Sequence, residues 1–135
     1  MKVMYKKGRA GEERAAEALK AAGMEIIAKN YRYMSDSGII LGEIDIIAQD
    51  NETIVFTEVK SSSVMGAEGL QYTINDKKQR KIIKTAKYFL SENRKYSNMS
   101  IRFDVVFVRG CEPKTGDKAS GYIISHLASA FMESV

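Results

Sequence analysis

Apolar and polar positions follow two rhythms along this chain. From Ala10 to Ala22 most residues are Ala, Glu or Lys, and Ala15, Ala18, Leu19 and Ala22 fall on one helical face. Good helix formers at that spacing predict a helix, with Gly23 as its stop. Met24 to Tyr33 reads as a strand with Ile26 and Ile27 apolar, and Ser35 to Gly38 as a turn. Ile44, Ile46 and Ile47 then lead into the polar run Gln49 to Glu52, and Ile54, Val55 and Phe56 come out of it. That is a hairpin pattern. Its apolar residues fall on both parities, which predicts strands covered on both faces and central in a sheet.

Further along, Ser61 to Gln71 carries three consecutive serines followed by Gly66 and Gly69, and reads as a loop. Thr73-Ile74-Asn75-Asp76 fits a capping box and predicts a helix to about Asn93, with Ile74, Ile82, Ala86, Phe89 and Leu90 as its apolar stripe. Ile101 to Val108 is a strongly apolar strand, and Cys111 to Gly121 a polar loop. Tyr122 to Leu127 is expected as the last strand and Ala128 to Met132 as a short terminal turn. No repeat, linker or second core interrupts the series. The expectation is one α/β domain over residues 1–135, with a mixed central sheet flanked by helices in the order αβββαββ.

Composition narrows the classes. The 135 residues are 44% hydrophobic and 28% charged, which suits a soluble globular chain. No apolar run approaches the roughly 20 residues that span a bilayer. Met1 to Arg9 is basic with no apolar segment behind it, unlike a signal peptide. A lone cysteine, Cys111, and a lone histidine, His126, exclude an internal disulfide and a Cys/His zinc site. The expected compartment is the reducing cytoplasm. The net charge of +4 is unevenly placed. Between Asp76 and Lys95 stand Lys77, Lys78, Arg80, Lys81, Lys84, Lys87, Arg94 and Lys95, opposed by Asp76 and Glu92. Such a helix is either a footprint for phosphates or a solvated face; in the first case Lys77, Lys78, Lys81 and Lys84 are the expected nucleic-acid contacts.

Charged residues inside the hairpin change the picture most. Glu43, Asp45, Glu58 and Lys60 interrupt otherwise apolar strands. With Asn51 and Glu52 as a two-residue turn, Asp45 faces Glu58, and Lys60 shares the face of Glu58. Two carboxylates so placed repel each other unless a proton or cation sits between them. Oxygen donors alone suit Mg²⁺ or Mn²⁺, and a neighbouring lysine can orient a water or offset charge on a phosphate. This is the equipment of metal-assisted phosphodiester hydrolysis. A surface Glu-x-Lys pair on a strand edge is the plain alternative. Glu43 is either a supporting acid or a solvated strand end. Asp104, in an apolar strand, is expected to hold Arg102, Arg32 or neighbouring backbone if its role is structural. His126 is expected to be structural.

The segment Gly42-Glu43-Ile44-Asp45-Ile46-Ile47, followed by Phe56-Thr57-Glu58-Val59-Lys60, resembles the signature of the UPF0102 (YraN-like) family of the PD-(D/E)XK nuclease-like superfamily, to which restriction endonucleases and archaeal Holliday-junction resolvases belong. Gly8, Gly11-Glu12, Asn30-Tyr31-Arg32, Lys78, Ala86 to Leu90, Arg102-Phe103-Asp104-Val105-Val106 and His126 with Phe131 extend the resemblance over most of the chain. It implies a restriction-endonuclease-like core. It implies a nuclease acting on DNA, including branched or damaged DNA, with Asp45 and Glu58 as metal ligands, Lys60 as the catalytic lysine and Glu12 as a further acid of the metal site. By analogy with resolvases it also implies a homodimer. Members of the superfamily that have lost catalysis keep two other readings open, a nucleic-acid-binding module and an interaction domain. The family's arginine after Glu-Val-Lys is replaced here by Ser61-Ser62-Ser63, which bears on a phosphate contact in that loop and not on the metal site.

Overall fold

The computed structural model describes residues 2–62, 74–110 and 122–132, the side chains of 2–9 and of Ser62 excepted. Its elements are α1 (Lys2–Ala21), β1 (Glu25–Met34), β2 (Ile40–Asp50), β3 (Thr53–Ser62), α2 (Asp76–Glu92), a 3-10 turn (Arg94–Tyr96), β4 (Ser100–Arg109) and β5 (Ile123–Phe131). The helix and strand order is the αβββαββ read from the sequence. The strands form one five-stranded mixed sheet in the order β1-β2-β3-β4-β5. β3 and β4 run parallel, joined through α2, and the other neighbours are antiparallel. The architecture is that of a restriction-endonuclease-like core.

Alternation along the central strands sorts the interior into two cores on opposite faces of the sheet. Ile54, Phe56, Phe103, Val105 and Phe107 pack with Ile82, Ala86 and Phe89 of α2. Val55, Val106 and Val108 pack with Ala15, Ala16 and Leu19 of α1. A sheet covered on both faces is what the double-parity apolar pattern requires. Phe89 anchors α2, meeting the Tyr31 ring edge-on at 5.1 Å and Phe56 at 6.0 Å.

The hairpin turn falls at Asn51 and Glu52, with Asn51 in the left-handed region (φ 56°) that such a turn demands. Pairing from Asp50–Thr53 to Ile46–Thr57 follows the register that places Asp45 opposite Glu58. α1 ends at Ala21, and Gly23 (φ 96°) closes it: the Gly23 N–H donates to the Lys20 carbonyl while that of Met24 reaches Leu19.

Four expectations shift. α2 is capped by Asn75, whose side chain accepts the Lys78 N–H at 2.8 Å, so the helix starts two residues beyond the expected Thr73 box; asparagine at this position is at least as good a cap as threonine. α1 begins well before Ala10, at Lys2. The segment from Ala128 is not a terminal turn but the continuation of β5 to Phe131. Buried Asp104 causes this: its Oδ1 accepts the Ser129 N–H at 2.9 Å, and beyond that kink Phe131 pairs with Phe103 and stacks on it at 5.1 Å. Of the loop expected over Ser61–Gln71, Ser61 and Ser62 instead continue β3, and the rest, like the loop expected at Cys111–Gly121, lies outside the described residues.

Candidate functional site

The ladder between β2 and β3 stops at Ile46–Thr57 although both strands continue. Ile44 and Ile47 both reach the α2 core, so alternation in β2 breaks between them. Asp45 sits at this fork. Its Oδ2 accepts the Val59 N–H at 2.8 Å, so a carboxylate holds the diverging strand. Glu58 is buried beside it, 6% exposed, and both line a cavity of about 430 Å³. Burial, and then the Glu58 charge, push the Asp45 pKa up to about 8. The acid pair predicted from the turn therefore shares one face and one cavity.

Two glycines let the helices close on the fork. A Cβ on Gly11 would lie 2.8 Å from Ser61 Cβ, so α1 crosses the end of β3 at backbone distance and sets Glu12 near the acids. Burial, opposed by a hydrogen bond with Asn30 and reinforced by Glu43, raises the Glu12 pKa. Its charge in turn contributes to raising Asp45. On the other face a Cβ on Gly42 would collide with Thr85 Oγ1 and come within 3.2 Å of the Lys81 carbonyl. α2 thus lies directly on β2, and Lys77, Lys78 and Lys81 join Glu43, Asp45 and Glu58 around the cavity.

The cations meet the acids directly. Lys60 Nζ is 3.3 Å from Glu58 Oε2, and Lys78 Nζ is 2.6 Å from the same oxygen. Arg32 Nε lies 3.6 Å from Glu43 Oε2, so Glu43 is an ion-paired member of the cleft wall rather than a solvated strand end. Lys84 is placed apart from Lys77, Lys78 and Lys81: it lines a separate hollow with Asp76, Arg80 and Lys87. Among the described residues no three acidic, histidine or cysteine side chains group closely enough to hold one ion, so Glu12 is a neighbour of the Asp45–Glu58 pair and not a third arm of a closed chelate. Sequence reasoning did not find the Lys78–Glu58 pair. The two residues are distant in the chain, and the lysine lay among seven other basic residues on the same helical stretch.

Asp104 forms a second polar centre. It is fully buried, accepts from Arg102 Nε at 2.9 Å and Nη2 at 3.1 Å, and lies 2.7 Å from His126 Nε2. Burial alone would raise its pKa; bonds from His126, Arg102 and the Ser129 N–H outweigh it and hold the carboxyl below its ordinary range. Arg102 also reaches Asp50 at 3.4 Å. This cluster ties β5 and the turn end of the hairpin to β4: Asp104 holds Arg102 and the Ser129 backbone, which is the structural one of the two alternatives left open for it, and His126 bonds to the same carboxylate.

The profile described as "Uncharacterised protein family UPF0102" matches residues 11–108. A UPF0102 protein of Treponema pallidum is 39% identical over 128 residues, covering 95% of this chain and 94% of the relative. Those of Treponema denticola and Persephonella marina are 45% and 41% identical, each over 76% of this chain and over 79% and 82% of their own lengths. The chain belongs to the UPF0102 family, and the matched span includes Glu12, Asp45, Glu58, Lys60 and all of α2.

Proposed function

We propose that this UPF0102 protein is a divalent-cation-dependent nuclease that hydrolyses DNA phosphodiester bonds at the fork between β2 and β3. The observation that carries the reading is the pairing of Asp45 with the buried Glu58 in one cavity, with Lys60 on the same carboxylate and basic residues of α2 around the rim. The donor set fits Mg²⁺ or Mn²⁺. Both acids supply oxygen only, and their mutual repulsion is relieved by a cation. Two protein carboxylates with the remaining positions left to water and phosphate oxygens is the usual way such ions are held. The ion would supply Lewis-acid stabilisation of the phosphoryl oxygens and a more acidic bound water. Asp45 and Glu58 would hold it, with the nearby Glu12 adding negative charge. Lys60 would orient the attacking water and offset charge at the scissile phosphate. Lys77 and Lys81 would position the backbone.

A second reading, a binding module without catalysis, draws on the same cleft: Lys78 already neutralises Glu58, and no third acid closes on the pair among the described residues. A cytoplasmic location and pairing as a homodimer belong to the proposal. No described helix is long and apolar enough to cross a bilayer.

The test is nicking of supercoiled plasmid and cleavage of four-way and flap substrates, with Mg²⁺ or Mn²⁺ and with chelator. Cleavage that needs the ion and falls about 10²–10³-fold in Lys60→Ala, with DNA binding retained, supports the nuclease. Metal-independent binding without cleavage of any substrate supports the module.

A further inference from the structure

Glu58 Oε2 carries two ammonium groups, and they are not equivalent. Lys60 is anchored on β3, two residues from its partner, and its side chain is 26% exposed. Lys78 reaches down from the first turn of α2, and its side chain is 42% exposed. The backbone of Lys78 is fixed because Asn75 Oδ1 accepts its N–H. Its Cα is therefore held at the rim, while four rotatable bonds let the ammonium reach either the buried carboxylate below or the cavity mouth above. Lys77 and Lys81 line the same cavity.

We propose that Lys78 is an exchangeable counter-cation. In the unloaded cleft its ammonium neutralises Glu58; on loading it gives way to the divalent cation and moves onto a phosphate oxygen of the bound nucleic acid. The inference rests on the metal-dependent reading above and adds an order to it: ion and nucleic acid assist each other's entry. Displacing Lys78 from Glu58 opposes binding of the ion alone. A phosphate that accepts the displaced ammonium removes that opposition, and by linkage each ligand then favours the other. Exchange falls to Lys78 and not to Lys60 because the Lys78 side chain is the more solvated and is tethered at the mouth.

The experiment combines metal titration with salt dependence in wild type, Lys78→Gln and Lys78→Arg. Calorimetric titration with Mn²⁺ in the absence of DNA should show several-fold tighter binding by Lys78→Gln, which lacks the competing ammonium. Binding should be weaker than wild type in Lys78→Arg, whose guanidinium grips a carboxylate with two donors. Duplex binding is then followed against salt, in EDTA and in Ca²⁺ as a non-cleaving ion. In EDTA wild type and Lys78→Gln should share one slope of log K on log salt. In Ca²⁺ the Lys78→Gln slope should be shallower by about 0.9, one phosphate contact. Equal Mn²⁺ affinity in wild type and Lys78→Gln, with binding lost in Asp45→Asn, overturns the exchange alone. A slope difference that is the same in EDTA and Ca²⁺ also overturns it, since Lys78 would then contact phosphate all the time. Absence of Mn²⁺ binding in every protein removes the metal reading and the exchange together.

Discussion

Asp45 shows what the site demands of a single residue. A carboxyl whose folded pKa is pushed to about 8, against an ordinary 3.8, binds a proton in the folded state that the unfolded state has already released. Between those two values the folded protein therefore loses stability as pH rises, and above the upper one the full penalty is present. Asp45→Asn removes the charge, while the amide oxygen can still accept the Val59 N–H. In chelator it should melt at nearly the wild-type temperature near pH 4 and a few degrees above it at pH 8, read by calorimetry across that range. A constant difference at all pH values would mean that Asp45 ionises freely. The position of this residue was legible from the sequence because a two-residue turn fixes every pairing behind it. Its hold on Val59 was not, because nothing in the alternation says where the strands part.

At the scale of elements, two contacts set the site's geometry. Gly42 lets α2 lie against β2, with buried Thr85 filling the space where a side chain would go. Gly42→Ala should cost about 1–3 kcal/mol by overpacking, and Thr85→Ala in the same chain should recover part of that loss, measured as a double-mutant cycle in urea. Additive losses would show that the two do not touch. Asp104 plays the matching part for β5. Asp104→Asn breaks a buried charge cluster and should destabilise by about 3 kcal/mol at neutral pH. Because the folded carboxyl titrates below its unfolded value, its contribution is complete above the ordinary aspartate range and fades as pH falls through the folded pKa. The variant and wild type should therefore converge in acid. Element order, the hairpin and α2 were readable from apolar period and turn residues. The true end of β5 was not, because its continuation depends on a side chain of β4 accepting a backbone N–H across the sheet. The cap of α2 was misplaced because two good capping residues stand two positions apart and local pattern alone does not choose between them.

Over the whole molecule, charge is organised rather than merely positive. The basic residues of α2 looked like one patch in the sequence. The fold divides them, sending Lys77, Lys78 and Lys81 to the acid cleft and Lys84 to another hollow. Reversing charge in Lys77→Glu/Lys81→Glu should weaken duplex binding and flatten its salt dependence by about 0.9 for each lost phosphate contact, whereas Lys84→Glu should change the slope less. Equal effects from all three positions would favour a diffuse basic surface. The cleft lies between the forked hairpin and helix α2, with acids on the strands and lysines on the helix. The proposed nuclease requires the fork to be a cation site completed by substrate. The most direct measurement is a crystal structure with Mn²⁺, located by its anomalous signal. A peak is expected between Asp45 and Glu58, about 2.0–2.4 Å from an oxygen of each, with Lys78 withdrawn from Glu58. A peak elsewhere, or Lys78 still seated on Glu58 at saturating Mn²⁺, would contradict the proposal.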